Sequence, residues 1–302
     1  MRVKKMMIFF LGAFFLLTSK PAISSPEGKA LLLQDMAWTD VREYLKKNDM
    51  VIIPLGSTEQ HGPHLPLGTD FYEALAMSKM ISARTGVVVA PVLFAGYSEY
   101  HSGFPGTLSL KPETMEEVLF ETAHMLMKYG FRRFLFFNYH GGNRIIEQNV
   151  IHRVNKTTRA VAVSIGIGSP AQKEEEGEFF DWHAGVSETS IMLYLKPELV
   201  RMERAEKPVI RFTPRQKKLL ELSKENPALA SVFSSLLGVE EETKKGGSSA
   251  ELSSNGIWSF SDPKKATAER GEKEVKAMVD AAVQFIEAWK RAEGSEKRVP
   301  EE

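Results

Sequence analysis

Cysteine is the most informative absence in the sequence, because none occurs among the 302 residues. Disulfide bonds, thiol nucleophiles, iron–sulfur clusters and zinc sites built from cysteine are therefore excluded. A metal site in this protein would have to use the nitrogen and oxygen ligands of histidine, aspartate and glutamate.

Net charge is also absent, since 39 basic residues are matched by 39 acidic ones. No overall basic field exists to attract nucleic-acid phosphates, so we expect no nucleic-acid partner. The hydrophobic fraction of 43% is that of an ordinary globular protein, which excludes disorder over the whole chain.

The N-terminus lacks a hydrophobic run long enough for a comfortable membrane span. A basic stretch with Arg2, Lys4 and Lys5 precedes an apolar run of about 12 residues, where a span needs about 20. A small-residue site follows at residues 22–24, which completes the pattern of a signal peptide. We therefore expect residues 1–24 to be removed and the protein to be exported, to the periplasm or outside the cell. We expect no stable membrane insertion after cleavage, with an uncleaved anchor as the alternative.

Short apolar runs alternate with amphipathic stretches along the first two thirds of the chain. The predicted strands lie at 51–56, 87–92, 134–137 and 160–165, and the predicted helices lie at 70–84, 112–129 and 143–155. This alternation is typical of βαβ units. We therefore predict an α/β fold, with a mainly parallel sheet and helices on both faces.

The later third is less regular, but we expect residues 25–302 to form a single domain. Residues 198–256 contain scattered prolines, a charge run and a Gly-Gly-Ser-Ser stretch, so we interpret them as a long insertion, mobile around 240–255. An amphipathic pattern at 266–292 predicts a long C-terminal helix.

Polar side chains cluster where the predicted strands end, and five of them are good ligands for a divalent metal. These are Glu59, His61, Asp70, His140 and Glu188. Each has an ordinary explanation when taken singly, such as a helix cap for Asp70 or a turn at His140. Their joint position at the carboxyl edge of a parallel sheet, beside several glycines, favours a site.

Other residues near these ligands are candidates for proton transfer and substrate binding. His183 lies five residues before Glu188 and is placed for proton transfer beside a metal. Further candidates for substrate binding are Tyr100, His101, Gly141, Gly142 and Trp182. The two glycines would let a ligand approach the backbone closely, whereas the aromatic residues could equally well be core packing.

Four sequence blocks, in this order, resemble those of the creatininase (creatinine amidohydrolase) family. They are residues 56–70 (GSTEQHGPHLPLGTD), 97–107 (YSEYHSGFPGT), 140–143 (HGGN) and 183–190 (HAGVSETS). The resemblance implies a three-layer α/β architecture and a dinuclear metal centre that hydrolyses a non-peptide C–N bond. In creatininase itself the third block reads His-x-Glu, so this chain resembles the His-Gly-Gly-Asn type rather than creatininase.

The resemblance also implies roles for the ligands. Glu59 and His140 would hold one metal, His61 would hold the other, and Asp70 would bridge the pair. Creatininase completes the second site with the glutamate that is absent at Gly142, and we expect Glu188 to replace it and thereby to take part in catalysis. Two divalent ions per chain are expected, zinc first, although nitrogen and oxygen ligands also accept manganese and iron.

The sequence therefore predicts an amidohydrolase that attacks an amide or cyclic amide of a small molecule with a metal-bridging hydroxide. Two alternatives stay open: a metallopeptidase-like enzyme that trims a small peptide, and a catalytically silent relative that binds a ligand. Family members are often hexamers, so the resemblance also implies a homo-oligomer.

Overall fold

A computed structural model describes residues 28–166 and 181–294 of the chain, without the side chains of the last two. The expected signal peptide lies outside the described residues. In the described part, no helix combines the length and the apolar character that a membrane crossing requires.

A four-stranded parallel sheet forms the centre of the fold, in the order β2-β1-β3-β4. Its strands are β1 (Met50–Leu55), β2 (Val88–Val89), β3 (Arg133–Asn138) and β4 (Val161–Ser164). The expectation of a mainly parallel sheet is thus confirmed. The pairing of β2 is shorter than the apolar run at 87–92 predicted, and Pro91 has no N–H with which to extend it.

Nine helices accompany the strands in the described residues. They are α1 (Trp38–Leu45), α2 (Thr69–Thr85), α3 (Pro112–Tyr129), α4 (Arg144–Thr157), α5 (Val186–Leu195), α6 (Pro214–Ser223), α7 (Leu229–Ser234), α8 (Ser249–Leu252) and α9 (Ala268–Gly294). The helices predicted at 70–84, 112–129, 143–155 and 266–292 correspond to α2, α3, α4 and α9.

The two faces of the sheet build two separate hydrophobic cores, because successive residues of a strand point to opposite faces. Met50 and Ile52 of β1 pack with α2, α5 and α9. Val51, Ile53 and Leu55 pack with α3 and α4. The result is three layers, with a fully buried central strand whose residues are apolar throughout.

A second, two-stranded antiparallel ribbon pairs β5 (Asp181–His183) with β6 (Trp258–Ser259). The sequence pattern did not predict it. The ribbon brings His183 from the region before α5 into contact with a segment about 75 residues later in the chain, close to Trp258.

Residues 198–256 contain α6, α7 and α8, and their Gly-Gly-Ser-Ser stretch is packed rather than extended into solvent. Residues 246–249 are all buried. The side chain of Gln216 donates a hydrogen bond to the carbonyl of Gly246 over 2.7 Å. Where the composition suggested mobility, the structure instead holds these residues in the interior.

Replacing Gly271 by alanine tests how closely α5 and α9 pack. A Cβ at this position would lie 1.9 Å from the carbonyl oxygen of Ser190, so the helices would have to move apart. Gly→Ala inside a helix normally gains about 1 kcal/mol. Here we expect a net loss of about 2 kcal/mol in the free energy of unfolding, measured by urea denaturation. The exposed control Lys276→Ala on the same helix should stay within about 0.5 kcal/mol of wild type; a more stable Gly271→Ala protein would contradict this packing.

Candidate metal centre

The predicted ligands meet at the carboxyl edge of the parallel sheet, where the loops that follow neighbouring strands lie on the same side. β1 ends at Leu55 and leads into the loop that carries Glu59 and His61, whereas β3 ends at Asn138, two residues before His140. Glu188 comes from the first turn of α5. Three separate parts of the chain therefore supply this one cluster.

The loop between β1 and α2 folds back on itself, so that Asp70 returns to the same place as Glu59. The backbone N–H of Glu59 donates to the carbonyl of Leu67 over 2.7 Å, and that of Thr69 donates to Pro66 over 3.2 Å. Asp70 then lies in the first turn of α2, where the helix dipole favours a negative charge.

Glu59, Asp70 and His140 form the first of the groups able to hold a metal ion. His140 Nε2 lies 3.2 Å from Glu59 Oε2, and His140 Nδ1 lies 3.1 Å from Asp70 Oδ2. All three residues are buried. The structure thus brings together the residues that the family resemblance implies for one metal.

A second group consists of His61, His183 and Glu188. His61 Nε2 lies 3.2 Å from Asp70 Oδ1 and 3.8 Å from Glu188 Oε2. The rings of His61 and His183 are 4.2 Å apart. The two oxygens of Asp70 therefore face different histidines, Oδ1 towards His61 and Oδ2 towards His140, as a bridging carboxylate requires.

Three buried carboxylate oxygens of this cluster fit a cation, because they lack ordinary hydrogen bonds. Among the described residues, both oxygens of Glu59 and Oδ2 of Asp70 are buried without a well-aligned hydrogen-bond donor. Histidine nitrogens approach them to 3.1–3.6 Å instead. Buried carboxylates of this kind are normally paired or bound to a metal, and a set of histidine nitrogens and carboxylate oxygens is typical of zinc.

The charges inside the cluster shift the pKa values of its members strongly. Burial lowers the pKa of His61, but the charge and hydrogen bond of Asp70, together with the charges of Glu188 and Glu59, outweigh burial and raise the pKa to about 10. Burial also lowers the pKa of His140, but the negative charges of Glu59 and Asp70 and the hydrogen bond to Asp70 together raise it to about 9. Burial raises the pKa values of Glu59 and Asp70, but the neighbouring histidines bring both below their usual range. The cluster therefore holds Glu59 and Asp70 ionised by placing positive charge next to them.

The pKa values of Glu188 and His183 shift in the direction that favours the neutral form of each group. Burial, reinforced by the charge of Asp70, raises the pKa of Glu188 to about 8, although His61 opposes this. Burial and the nearby His61 and His101 keep the pKa of His183 well below its usual value, so that its imidazole is neutral. Its Nε2 donates to the carbonyl of Gln60 over 2.6 Å. That bond leaves Nδ1 with a free lone pair that faces the cluster.

A cavity of about 540 Å³ opens above the cluster, a volume within the range of small-molecule sites. Of the residues predicted to bind substrate, Tyr100, His101, Gly141, Gly142 and Trp182 all line it. Trp182 is 49% exposed, whereas Tyr100 and His101 are almost fully buried. Segment 198–256 supplies Ser234, Leu237 and Gly238 to the wall.

Gly142 lies so close to its neighbours that no other residue fits without movement. A Cβ there would lie 2.1 Å from the carbonyl oxygen of Tyr97 and 2.5 Å from His140 Nε2. The backbone at this position therefore cannot carry a larger side chain, such as the glutamate of the His-x-Glu pattern, unless Tyr97 or His140 moves. At Gly141 a Cβ would meet nothing within 4 Å.

Three residues of this region were not singled out from the sequence. The side-chain nitrogen of Gln60 lies 3.1 Å from His101 Nδ1 and 3.3 Å from Ser249 Oγ, and its backbone carbonyl accepts from His183. Gln60 could have been noticed from its place between two ligands, but Ser249 lies in the stretch we interpreted as mobile.

The third, Glu73, lies one turn after Asp70 on α2 and is fully buried. Neither of its carboxylate oxygens has a hydrogen-bond partner in the described part of the chain. Burial and the charge of Glu188 raise its pKa well above the usual value. Its spacing from Asp70, which places both on one helix face, was the signal available in the sequence.

Comparison with known proteins agrees with this geometry. The profile of the family described as "Creatininase: Creatinine amidohydrolase" matches residues 34–286, which is most of the chain. A solved creatininase variant described as the Zn-Zn type has a TM-score of 0.66 at 24% identity, covering 87% of this chain and 98% of that one. At that identity the likeness shows the fold.

Two curated relatives differ in the reactions their names describe. A 3-dehydro-scyllo-inosose hydrolase of Thermotoga maritima is 34% identical over 57% of this chain, but the match spans only 58% of that protein. A mycofactocin precursor peptide peptidase of Mycobacterium ulcerans is 32% identical over 79% of this chain and 85% of its own length. Both names denote hydrolytic enzymes with different substrates.

The contrast between the two adjacent glycines gives a test of the first ligand group. Gly142→Ala should displace His140 and reduce the metal content, measured by elemental mass spectrometry after metal repletion, to less than half that of wild type. Gly141→Ala, whose added methyl group meets open space, should keep its metal. Equal metal content in the two folded variants would show that His140 is not a ligand.

Proposed function

Because the chain belongs to the creatininase family, we propose that it is a metal-dependent amidohydrolase that cleaves a non-peptide C–N bond, in an amide or cyclic amide, with water. The observation that carries this proposal is the group of buried carboxylates and histidines at the base of an open cavity. A site built only for ligand capture would not need unpaired carboxylate oxygens in its floor.

We assign one divalent ion to Glu59 and His140 and a second to His61 and Glu188, with Asp70 between them. The opposed directions of the two Asp70 oxygens support this division. Zinc is our first choice, since the ligands are imidazole nitrogens and carboxylate oxygens and a related solved structure is of the Zn-Zn type. Manganese and iron accept the same ligands.

A pair of bound divalent ions lowers the pKa of water and polarises a substrate carbonyl. The chain's own residues then orient the substrate and move protons. His183 is held by Gln60 through Nε2, so its free Nδ1 can take the proton of the attacking water and return it to the leaving nitrogen. Glu188 Oε2 lies 3.8 Å from His61 Nε2 and adds negative charge beside that ring.

The cavity wall determines what reaches these groups. The backbone at Gly141 is open, so a substrate amide can approach it closely. Trp182 and Tyr100 both line the cavity and offer aromatic surfaces suited to a planar amide or a small ring. We infer a small, uncharged amide or cyclic amide as the substrate class.

A second candidate function is the trimming of a small peptide. The relative named as a precursor peptide peptidase aligns over 79% of this chain, whereas the relative named as an inosose hydrolase aligns over 57%. The longer alignment favours peptide trimming as the second candidate. The cavity is open enough for a chain end to enter. The two enzymes differ in their products, since opening a cyclic amide adds one water without fragmentation and peptide cleavage gives two pieces.

We propose in addition that the protein is exported, with residues 1–24 as its signal peptide, and acts in the periplasm or outside the cell. The order of basic, apolar and small residues at the N-terminus supports this. We also propose a homo-oligomer, with a hexamer as the first assembly to test by light scattering.

Elemental mass spectrometry on wild type and Glu188→Gln tests the proposed function. Wild type should contain about two metals per chain, and the variant about one, because the amide is a poorer ligand than the carboxylate. The variant should also lose most of its activity on a panel of cyclic amides, linear amides and dipeptides. Glu198→Gln is the control, since that side chain is exposed and distant from the cluster.

Product masses from the panel then decide between the candidates. Ring opening of a cyclic amide by one water, or cleavage of a linear non-peptide amide, supports the amidohydrolase, whereas cleavage confined to the dipeptides supports the peptidase. A wild-type protein that holds no metal after repletion and hydrolyses nothing in the panel would contradict both and leave a silent ligand-binding protein.

A further inference from the structure

His101 connects the metal centre to segment 198–256, although the two are far apart in sequence. Its Nε2 lies 3.2 Å from Glu59 Oε1. Its Nδ1 lies in hydrogen-bond contact with Ser249 Oγ and 3.1 Å from the side-chain nitrogen of Gln60. Both ring nitrogens are therefore engaged by protein groups, and the ring is 2% exposed.

The orientation of the Gln60 amide determines which nitrogen of His101 carries the proton. Gln60 Oε1 accepts from the backbone N–H of Gly62 over 3.0 Å, and Gln60 Nε2 donates to the carbonyl of Gly256 over 3.0 Å. Only one orientation of the amide satisfies both contacts, and it points the NH₂ group towards His101 Nδ1. We assign Nδ1 as the acceptor and place the proton on Nε2, facing Glu59, because this tautomer avoids setting two N–H groups against each other.

A protonated Nε2 places the N–H of His101 against Glu59 Oε1 as a polar contact, without the alignment of a full hydrogen bond, and makes His101 unsuited as a metal ligand. Glu59, His101 and His183 lie close enough to form a third group that could hold a cation. The hydrogen-bond pattern decides against this, because a nitrogen that carries a proton has no lone pair to give. His101 instead lies beside Oε1 of Glu59, while Oε2 is directed towards His140.

Ser249 reaches this position because its segment is packed firmly. Ser248 caps α8 by accepting from the backbone N–H of Glu251, and Ser249 is completely buried. The following residue, Ala250, touches the turn that carries His101, since a Cβ at Gly103 would lie 2.5 Å from its side chain. The hydroxyl of Ser249 is the polar group that this segment contributes to His101.

We propose that segment 198–256 completes the metal centre, with Ser249 as a positioning residue that acts through His101 to hold Glu59 in its ligating orientation. The inference rests on the proposed function, because it requires that Glu59 binds a metal. Residues that orient metal ligands through hydrogen bonds typically contribute 10–100-fold to metal affinity. The segment is therefore part of the site's chemistry as well as part of the cavity wall.

The test compares Ser249→Ala with Ser253→Ala in the purified full-length protein. Ser253 is an equally buried serine in the same segment, but its hydroxyl contacts Asn255 instead of the metal cluster. Zinc affinity is measured by competition with a chelator, and the absorption spectrum of the cobalt(II)-substituted protein reports on the ligand field. Ser249→Ala should bind zinc about 10–100-fold more weakly and change the cobalt spectrum. Ser253→Ala should show wild-type values for both.

A measurement on wild type keeps the proposal testable if Ser249→Ala does not fold. Selective ¹⁵N labelling of histidine, with His101 assigned by substitution, should show its proton on Nε2. A proton on Nδ1, or an unchanged zinc affinity and cobalt spectrum in folded Ser249→Ala, would overturn the role of Ser249 while leaving the proposed function intact. Failure of wild type to bind zinc or cobalt would instead overturn the proposed function, and this inference with it.

Discussion

Three carboxyl groups meet in the interior of this protein, and the negative charge of the two that are held ionised, Glu59 and Asp70, has to be offset by positive charge. Glu59, Asp70 and Glu188 lie around two histidines, His61 and His140, whose nitrogens approach carboxylate oxygens to about 3.2 Å. Burying several like charges together is costly unless a cation or a complete set of hydrogen bonds compensates them. Because the chain has no cysteine, a metal that supplies this positive charge must accept nitrogen and oxygen ligands. The loops around the cluster hold those ligands in place.

The fold satisfies this constraint by bringing distant parts of the chain to one edge of a parallel sheet. β1 and β3 release the loops with Glu59 and His140, and α5 adds Glu188 from the face covered by α2 and α9. The ribbon of β5 and β6 then places His183 beside His61. Segment 198–256 lines part of the cavity wall and contacts His101 through Ser249. Catalytic groups, ligands and cavity wall thus depend on one another for their positions.

Much of this arrangement follows from local patterns in the sequence. The apolar runs of β1 and β3 and the helical period of α3 predict the parallel sheet and its layers, and the glycine-rich blocks predict that Glu59, His61 and His140 meet. What local patterns cannot predict are contacts between segments that are remote in sequence. Ser249 lies 148 residues from His101, and its polar, glycine-rich surroundings are equally typical of a mobile loop. The burial of Glu73 and the ribbon that carries His183 likewise depend on tertiary packing.

Anomalous diffraction from crystals of the zinc-loaded protein, recorded on both sides of the zinc absorption edge, tests the central claim most directly. Two peaks are expected, one among Glu59, Asp70 and His140 and one among His61, Asp70 and Glu188. A single peak, or a peak coordinated by His101, would contradict the assignment of a dinuclear centre bridged by Asp70.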